Sequence, residues 1–197
     1  MKPEHFYPKI FALSNMPANI RVKGMNRIHS EYLATYLSAI YAIDSEKASQ
    51  ICPDGRTLAQ IVAHIAEWER YIIQSMGDVI SGVRKPFMLT LKGYRDIDGT
   101  RVDFDTIDEF NEFQAQKYKK TPWSEIKPLA IHTASALQGI FSQPVVLPFD
   151  LMEKTEPYDW HVPGGSIVSI PVAWYLWIVV LEHEVVDHAQ ELGLDKF

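Results

Sequence analysis

Apolar residues recur at three- and four-residue steps along much of this chain, which is the spacing of helices that bury one face. The first such stretch covers about residues 20–43 and repeats Met25, Ile28, Tyr32, Leu33, Tyr36 and Ile40. The second begins at Thr57, which forms the sequence of a capping box with Gln60, and continues to about residue 80. The pattern predicts two long amphipathic helices in the first half of the chain.

The second half shows the same periodicity, interrupted by one long connection. A shorter helix is predicted over residues 106–119 and a third long helix over residues 121–141. Residues 143–170 are rich in proline and glycine and predict a long crossover, which is followed by a fourth long helix over about residues 171–192. Residues 1–19 contain three prolines and are predicted to form an irregular arm. Four long helices with one long crossover predict an all-α four-helix bundle.

Composition and charge narrow the classes of partner. A chain of 197 residues with 47% hydrophobic and 22% charged residues is typical of one globular domain, predicted over residues 1–197. The net charge of −6, without a basic run, argues against a nucleic-acid partner. The longest apolar run, Pro171 to Leu181, is about half of the roughly 20 residues that a membrane-spanning helix needs, so no membrane partner is expected.

The single cysteine, Cys52, excludes an intramolecular disulfide and a zinc cluster built from cysteines. The first residues contain no apolar signal segment. Together these features predict a protein of a reducing compartment, the cytoplasm.

Two of the predicted helices carry residues suited to a shared metal ion. The last helix contains His183 and Asp187, four residues apart and therefore on one face of a regular helix. His64, on the second helix, offers a third ligand. Each of these residues also has an ordinary structural interpretation, since a histidine on an amphipathic helix is more often a residue at the edge of the core than a ligand.

Both segments resemble the DinB-like (YfiT-like) metalloenzymes. The run from Leu58 to Glu69 resembles that family's helix L-x-x-x-x-x-H-I-A-E-W-E, and the last helix resembles its ending H-E-V-H-H-R-G-Q. The match places His183 on the first histidine of the ending, Asp187 on the second metal histidine and Gln190 on the glutamine. The resemblance implies a DinB-like four-helix bundle that holds a divalent metal ion, zinc or nickel first and manganese or iron as further choices.

The departure from the family pattern is Asp187, which turns a site of three nitrogens into one of two nitrogens and a carboxylate. A match shifted by one residue would use His188 instead, with Glu184 four residues before it. The unshifted match is preferred because it also places Gln190. In a regular helix, moreover, His188 points about a quarter-circle away from Asp187.

Three protein ligands leave coordination positions open for water, which is the arrangement of a catalytic metal site. A divalent cation there lowers the pKa of a bound water or thiol. The resemblance implies a thiol-linked transferase or a hydrolase acting on a small molecule, such as a low-molecular-weight thiol. No catalytic residue is assigned.

Two other hypotheses stay open. The chain could be a non-catalytic bundle whose metal site was lost through Asp187, serving as a stress-related binding or dimerisation module; the resemblance also implies a homodimer. A ferrous oxygenase would need a co-substrate that no residue identifies.

Further candidates surround the predicted ligands. Gln190 and Trp68 each lie one turn beyond a predicted ligand, and His161 lies in the long crossover. These three are the predicted pocket residues. Glu67, three residues from His64, is a candidate to orient a ligand and is expected to point to solvent.

Overall fold

Helices make up most of the chain in a computed structural model that describes residues 1–14, 16–162 and 165–195. The helices are α1 Pro3–Ser14, α2 Ala18–Tyr41, α3 Ser45–Ala48, α4 Leu58–Ile80, α5 Ile107–Tyr118, α6 Trp123–Ser142, α7 Phe149–Glu153 and α8 Val172–Glu182. A single 3₁₀ turn covers Phe87–Leu89, and α8 continues into a π-helical turn, His183–Asp187. The prediction of a mainly helical fold is confirmed.

The long helix α4 lies at the centre of the packing and contacts α5, α6 and α8, while α2 packs on α6. Its apolar residues Ile61, Ile65, Ile72 and Met76 follow the helical spacing and are all buried. The predicted capping box is present: the Gln60 backbone N–H donates to Thr57 Oγ1 at 3.2 Å, and the Thr57 backbone N–H donates to Gln60 Oε1 at 2.8 Å. The pattern therefore located this central helix closely.

The first residues differ from the prediction of an irregular arm, because Pro3–Ser14 is a helix. Pro3 takes the first helical position, where a missing N–H has no helical partner to lose. Phe6, Tyr7 and Ile10 are buried against the body of the protein. The hydroxyl of Tyr7 donates to Glu182, at the end of α8, so this helix supports the last one.

The long crossover also has structure of its own. It contains α7 and an antiparallel hairpin of β3 Pro157–His161 and β4 Ile167–Pro171, in which Trp160 pairs with Val168. Residues 163 and 164, part of the predicted loop, lie outside the described residues. A second small hairpin, β1 Tyr94–Arg95 with β2 Arg101–Val102, precedes α5.

The last predicted helix is shorter than expected. Regular α-helix ends at Glu182, the π-helical turn follows, and residues 188–193 form turns. The expectation of one regular helix to about residue 192 was wrong, and the difference falls on the predicted metal ligands. In the part of the chain that the structure describes, no helix combines the length and the apolar character needed to cross a membrane.

Candidate metal centre

Three histidines from two elements converge at one end of α4. His64 on α4, His183 in the π-helical turn and His188 directly after it each bring a ring nitrogen within 4.8 Å of the other two. The ring centroid of His64 lies 5.1 Å from that of His183 and 5.4 Å from that of His188. The centroids of His183 and His188 are 4.7 Å apart. Three imidazoles at this spacing are a known ligand set of catalytic zinc sites. These residues are called the histidine cluster below.

The π-helical turn is what brings His188 to His183. Five residues of a regular α-helix turn through about 500°, which leaves residues i and i+5 about 140° apart. A π-helix bonds residue i to residue i+5 and so places these two residues above one another. The extra residue in the turn therefore moves His188 onto the face of His183.

The same turn moves Asp187 away from the position expected of a ligand. Its side chain is 49% exposed, and its Oδ2 lies 3.3 Å from His183 Nδ1. The structure thus brings His64 and His183 together and adds His188, whereas Asp187 lies behind His183. His188 was expected to point away because a regular helix was predicted here, and the π-helical turn takes its place. Metal ligation itself remains a prediction.

Hydrogen bonds at the back of two rings orient the cluster. His64 Nδ1 and Gln114 Oε1 are 2.6 Å apart, and because a carbonyl oxygen only accepts, Nδ1 donates and Nε2 keeps its lone pair. In the same way, a His183 Nδ1–H that donates to Asp187 leaves Nε2 free, and this Nε2 is buried without a hydrogen-bond partner among the described residues. In metal sites, a ligating histidine usually donates its other ring N–H to a carbonyl or carboxylate oxygen, which fixes its tautomer and its ring orientation.

Burial keeps two of the three imidazoles neutral. Desolvation, together with His183 and His188, lowers the pKa of His64 to about 3. Desolvation and His183 lower the pKa of His188 to about 3. Neutral imidazole is the form that binds a metal ion. His188 Nδ1 is also buried without a hydrogen-bond partner among the described residues, with Glu191 Oε1 3.9 Å away, so the donor set fits a divalent cation.

Two spaces adjoin the cluster and differ in character. A polar niche of about 20 Å³ touches His64 and is lined by Arg56, Gln60, Asn111, Gln114, Ala115 and Tyr118. An apolar cavity of about 120 Å³ has His183 in its wall. Trp68 stands beside the cluster, with its ring 6.0 Å from that of His183, and it donates from Nε1 to Asn111 Oδ1 at 3.2 Å.

Behind the cluster lies a buried pair of carboxyl groups, Glu69 on α4 and Glu184 in the π-helical turn. Both are fully buried, and burial raises the pKa of each, further raised for Glu69 by Glu184. The Thr133 hydroxyl donates to Glu69. Two carboxyls so close in a dry core do not both ionise. Glu69 was detectable in the sequence, because it falls between Ile65 and Ile72 on the apolar face of α4.

Glu67 differs from its prediction, since it is fully buried rather than directed to solvent. It accepts hydrogen bonds from Arg70 at 2.9 Å, Lys117 at 3.1 Å and the Tyr118 hydroxyl at 2.5 Å. The last two partners lie on α5, so Glu67 ties α5 to α4. This tie fixes the helix that carries Gln114.

Gln114 was missed by the sequence analysis, although a signal was present. It lies four residues from Phe110 and four from Tyr118, so it occupies the buried face of α5. By contrast, the predicted pocket residues Gln190 and His161 are both exposed, and neither lines the niche or the cavity.

A larger groove lies elsewhere on the molecule. It measures about 1010 Å³ and is lined by residues of α1, α2 and the last turns, including Lys9 and Glu31. None of its lining residues carries a buried polar atom without a partner, within the described ranges. The buried polar atoms without hydrogen-bond partners therefore favour the two smaller spaces at the histidine cluster as the candidate binding site.

Comparisons with protein-family models, with curated proteins and with solved structures find no match to this chain. Membership of the DinB-like family thus stays a prediction from the two segments of sequence that resemble it.

Proposed function

We propose that this protein is a divalent-metal-dependent enzyme on a DinB-like four-helix scaffold, with His64, His183 and His188 as the ligands. The observation that carries the proposal is the convergence of three imidazoles, two of them held neutral by burial and two oriented by outer partners. A ligand set of three nitrogens favours zinc, with nickel, iron and manganese as further choices. Asp187 becomes a positioning residue for His183 rather than a ligand.

A bound divalent cation would lower the pKa of a water molecule or a thiol bound to it. The polar niche beside His64 has about 20 Å³, and roughly 10–15 Å³ suffices for one water molecule. Gln60 and Asn111 supply polar partners there, and the Arg56 guanidinium brings a positive charge that also contributes to the low pKa of His64. These features favour hydrolysis, while thiol-linked transfer follows from the family resemblance. The expected substrate is a small molecule, such as a low-molecular-weight thiol or its conjugate.

The non-catalytic hypothesis depended on loss of the third ligand through Asp187. With His188 in the third position, the cluster has a full set of nitrogen donors without Asp187. This removes the reason to expect a degraded site. Homodimerisation and a cytoplasmic location remain predictions.

The test is elemental analysis of protein purified without added metal, for the natural chain and for two neighbouring variants. We expect about one ion per chain in the natural protein, none in His188→Ala, and a retained but more weakly held ion in Asp187→Ala. Loss of the ion in Asp187→Ala with retention in His188→Ala would restore the two-histidine, one-carboxylate set. A natural protein that binds no zinc, nickel, manganese or iron even when these are supplied would overturn the proposal.

A further inference from the structure

The apolar cavity beside the histidine cluster is built from facing positions on α4 and α8. Ile65, Ile72 and Val180 form buried walls, exposed by 0%, 2% and 3%. Trp68 and Val179, together with His183 of the π-helical turn, are partly exposed and form the rim. A group that enters the cavity therefore passes a member of the histidine cluster.

The size and lining of this cavity define what it can hold. An apolar cavity of roughly 150 Å³ in another protein stays dry and binds benzene. The volume here is about 120 Å³, which suits a branched aliphatic group or a small ring of about five or six carbon atoms. A charged group would lose its hydration against these walls without compensation.

One polar group interrupts the apolar lining. Glu69 is fully buried in the wall, and its Oε1 has no hydrogen-bond partner among the described residues. Buried carboxyl oxygens are rarely left without a partner. The neighbouring carboxyl group of Glu184 interacts with Glu69 in the core, so this polar group belongs to a buried pair, and the other residues of the wall are apolar apart from His183 at the rim.

We propose that the cavity binds the hydrocarbon part of the substrate, so that the substrate class is a small molecule with an uncharged apolar end of about five or six carbons. This inference rests on the proposed function, because it places the reacting group of the same molecule at the histidine cluster. His183 belongs to both the cluster and the rim, so the two parts of the molecule are adjacent. The apolar walls offer water few hydrogen-bond partners, whereas the polar niche beside His64 offers several.

The test is fluorine NMR with fluorobenzene as the probe and fluorobenzoate as the charged control, in metal-free and in cobalt-loaded protein. We expect fluorobenzene to bind in both forms, and fluorobenzoate not to bind in the metal-free form, where no cation compensates the loss of hydration of its carboxylate. In the loaded form, paramagnetic cobalt should broaden the signal of bound fluorobenzene. Binding without broadening in cobalt-loaded protein would overturn the inference, because the probe would then lie away from the cluster.

Two variants locate the binding site. Val179→Phe fills the rim and should weaken fluorobenzene binding by at least about tenfold, whereas the same change at the exposed Val146 should leave it unchanged. Val179→Ala enlarges the cavity and should admit the larger probe trifluoromethylbenzene, which provides a second reading if the Phe variant misfolds. Unchanged probe binding in both Val179 variants would overturn the inference.

Failure of this inference and failure of the proposed function give different results. Fluorobenzene binding in protein that takes up no cobalt would overturn the metal-dependent function but support the cavity as a site for apolar ligands. A stoichiometric ion without any fluorobenzene binding would support the metal centre and overturn the substrate class.

Discussion

At the scale of single residues, the orientation of His64 depends on one amide. Gln114 is 2% exposed, and its Oε1 accepts from the His64 ring nitrogen that faces away from the cluster. Because the other nitrogen is thereby kept free, the histidine is prepared for a metal ion before one binds. The same logic applies to Asp187 behind His183.

Replacing Gln114 by alanine should weaken metal binding by about 10- to 100-fold, because His64 loses the partner that fixes its tautomer and its ring angle. Gln114→Glu keeps an accepting oxygen and should retain most of the affinity. Competition with a chromophoric chelator measures the change.

The matched control is Gln116→Ala, since Gln116 is exposed on the same helix and bonds only to Glu112 among the described residues. Equal zinc affinity in Gln114→Ala and Gln116→Ala would show that Gln114 does not position His64.

At the scale of elements, the π-helical turn sets the spacing of His183 and His188, two of the proposed ligands. It holds one residue more than an α-helical turn would need to bring two histidines to one face. Tyr7 of α1 bonds to Glu182 directly before it, and the backbone nitrogen of Met1 donates to the Val185 carbonyl oxygen within it. Contacts from Met1 and from Tyr7 of α1 thus support an irregular turn that a free helix would avoid.

Deletion of Val186 should convert the π-helical turn into regular α-helix and place the two histidines at i and i+4, where they again share a face. We expect this variant to keep about one zinc ion per chain. Insertion of one alanine after Val186 is the matched control, because it carries the second histidine past the shared face and should abolish binding.

Elemental analysis together with circular dichroism separates loss of the site from loss of the fold. If the deletion variant folds and loses its ion while the insertion variant keeps it, the role given to the π-helical turn is wrong.

The central helices could be predicted from sequence because their apolar positions repeat over many turns, as from Leu58 to Ile80. The helix α1 could not, because three prolines outweighed a short apolar face in the sequence. His188 was misjudged for a different reason. The π-helical turn is contacted by residues distant in sequence, such as Met1 and His64, and it has no local sequence signal. Glu69 and Gln114 could have been found as polar residues within apolar faces.

At the scale of the whole molecule, one buried histidine outside the cluster affects stability. His29 lies in the core between α2, α6 and α8, with Phe141 and Trp177 against its ring, and its Nδ1 accepts from Trp177 Nε1 at 3.0 Å. Burial lowers the pKa of His29 to about 4, from an ordinary value of 6.5. Its neutral form is therefore the one that the folded protein stabilises.

Since the unfolded chain binds a proton at His29 below about pH 6.5 and the folded protein resists it down to about pH 4, stability falls as the pH falls through this window. The contribution of His29 to that loss is on the order of 3 kcal/mol. His29→Gln keeps an acceptor for Trp177 and should make the free energy of unfolding fall less steeply between pH 7 and pH 4, with His64 and His188 accounting for a remaining fall in the metal-free protein.

Denaturant unfolding at a series of pH values measures this. The same substitution at His132, which is exposed on α6, is the matched control for replacing a histidine by glutamine. A His29→Gln curve parallel to that of the natural protein would show that His29 does not contribute to acid sensitivity.

The π-helical turn also changes what a metal-binding motif means in sequences of this kind. A motif for two histidine ligands on one helix specifies the number of residues between them. Three intervening residues place both histidines on one face only if the helix is a regular α-helix. In this chain four residues separate His183 from His188, yet the two rings lie 4.7 Å apart. A helical histidine pair with one residue too many is therefore not evidence of a lost site. Where a π-helical turn can take up the extra residue, the same ligand pair can be encoded by two different sequence patterns.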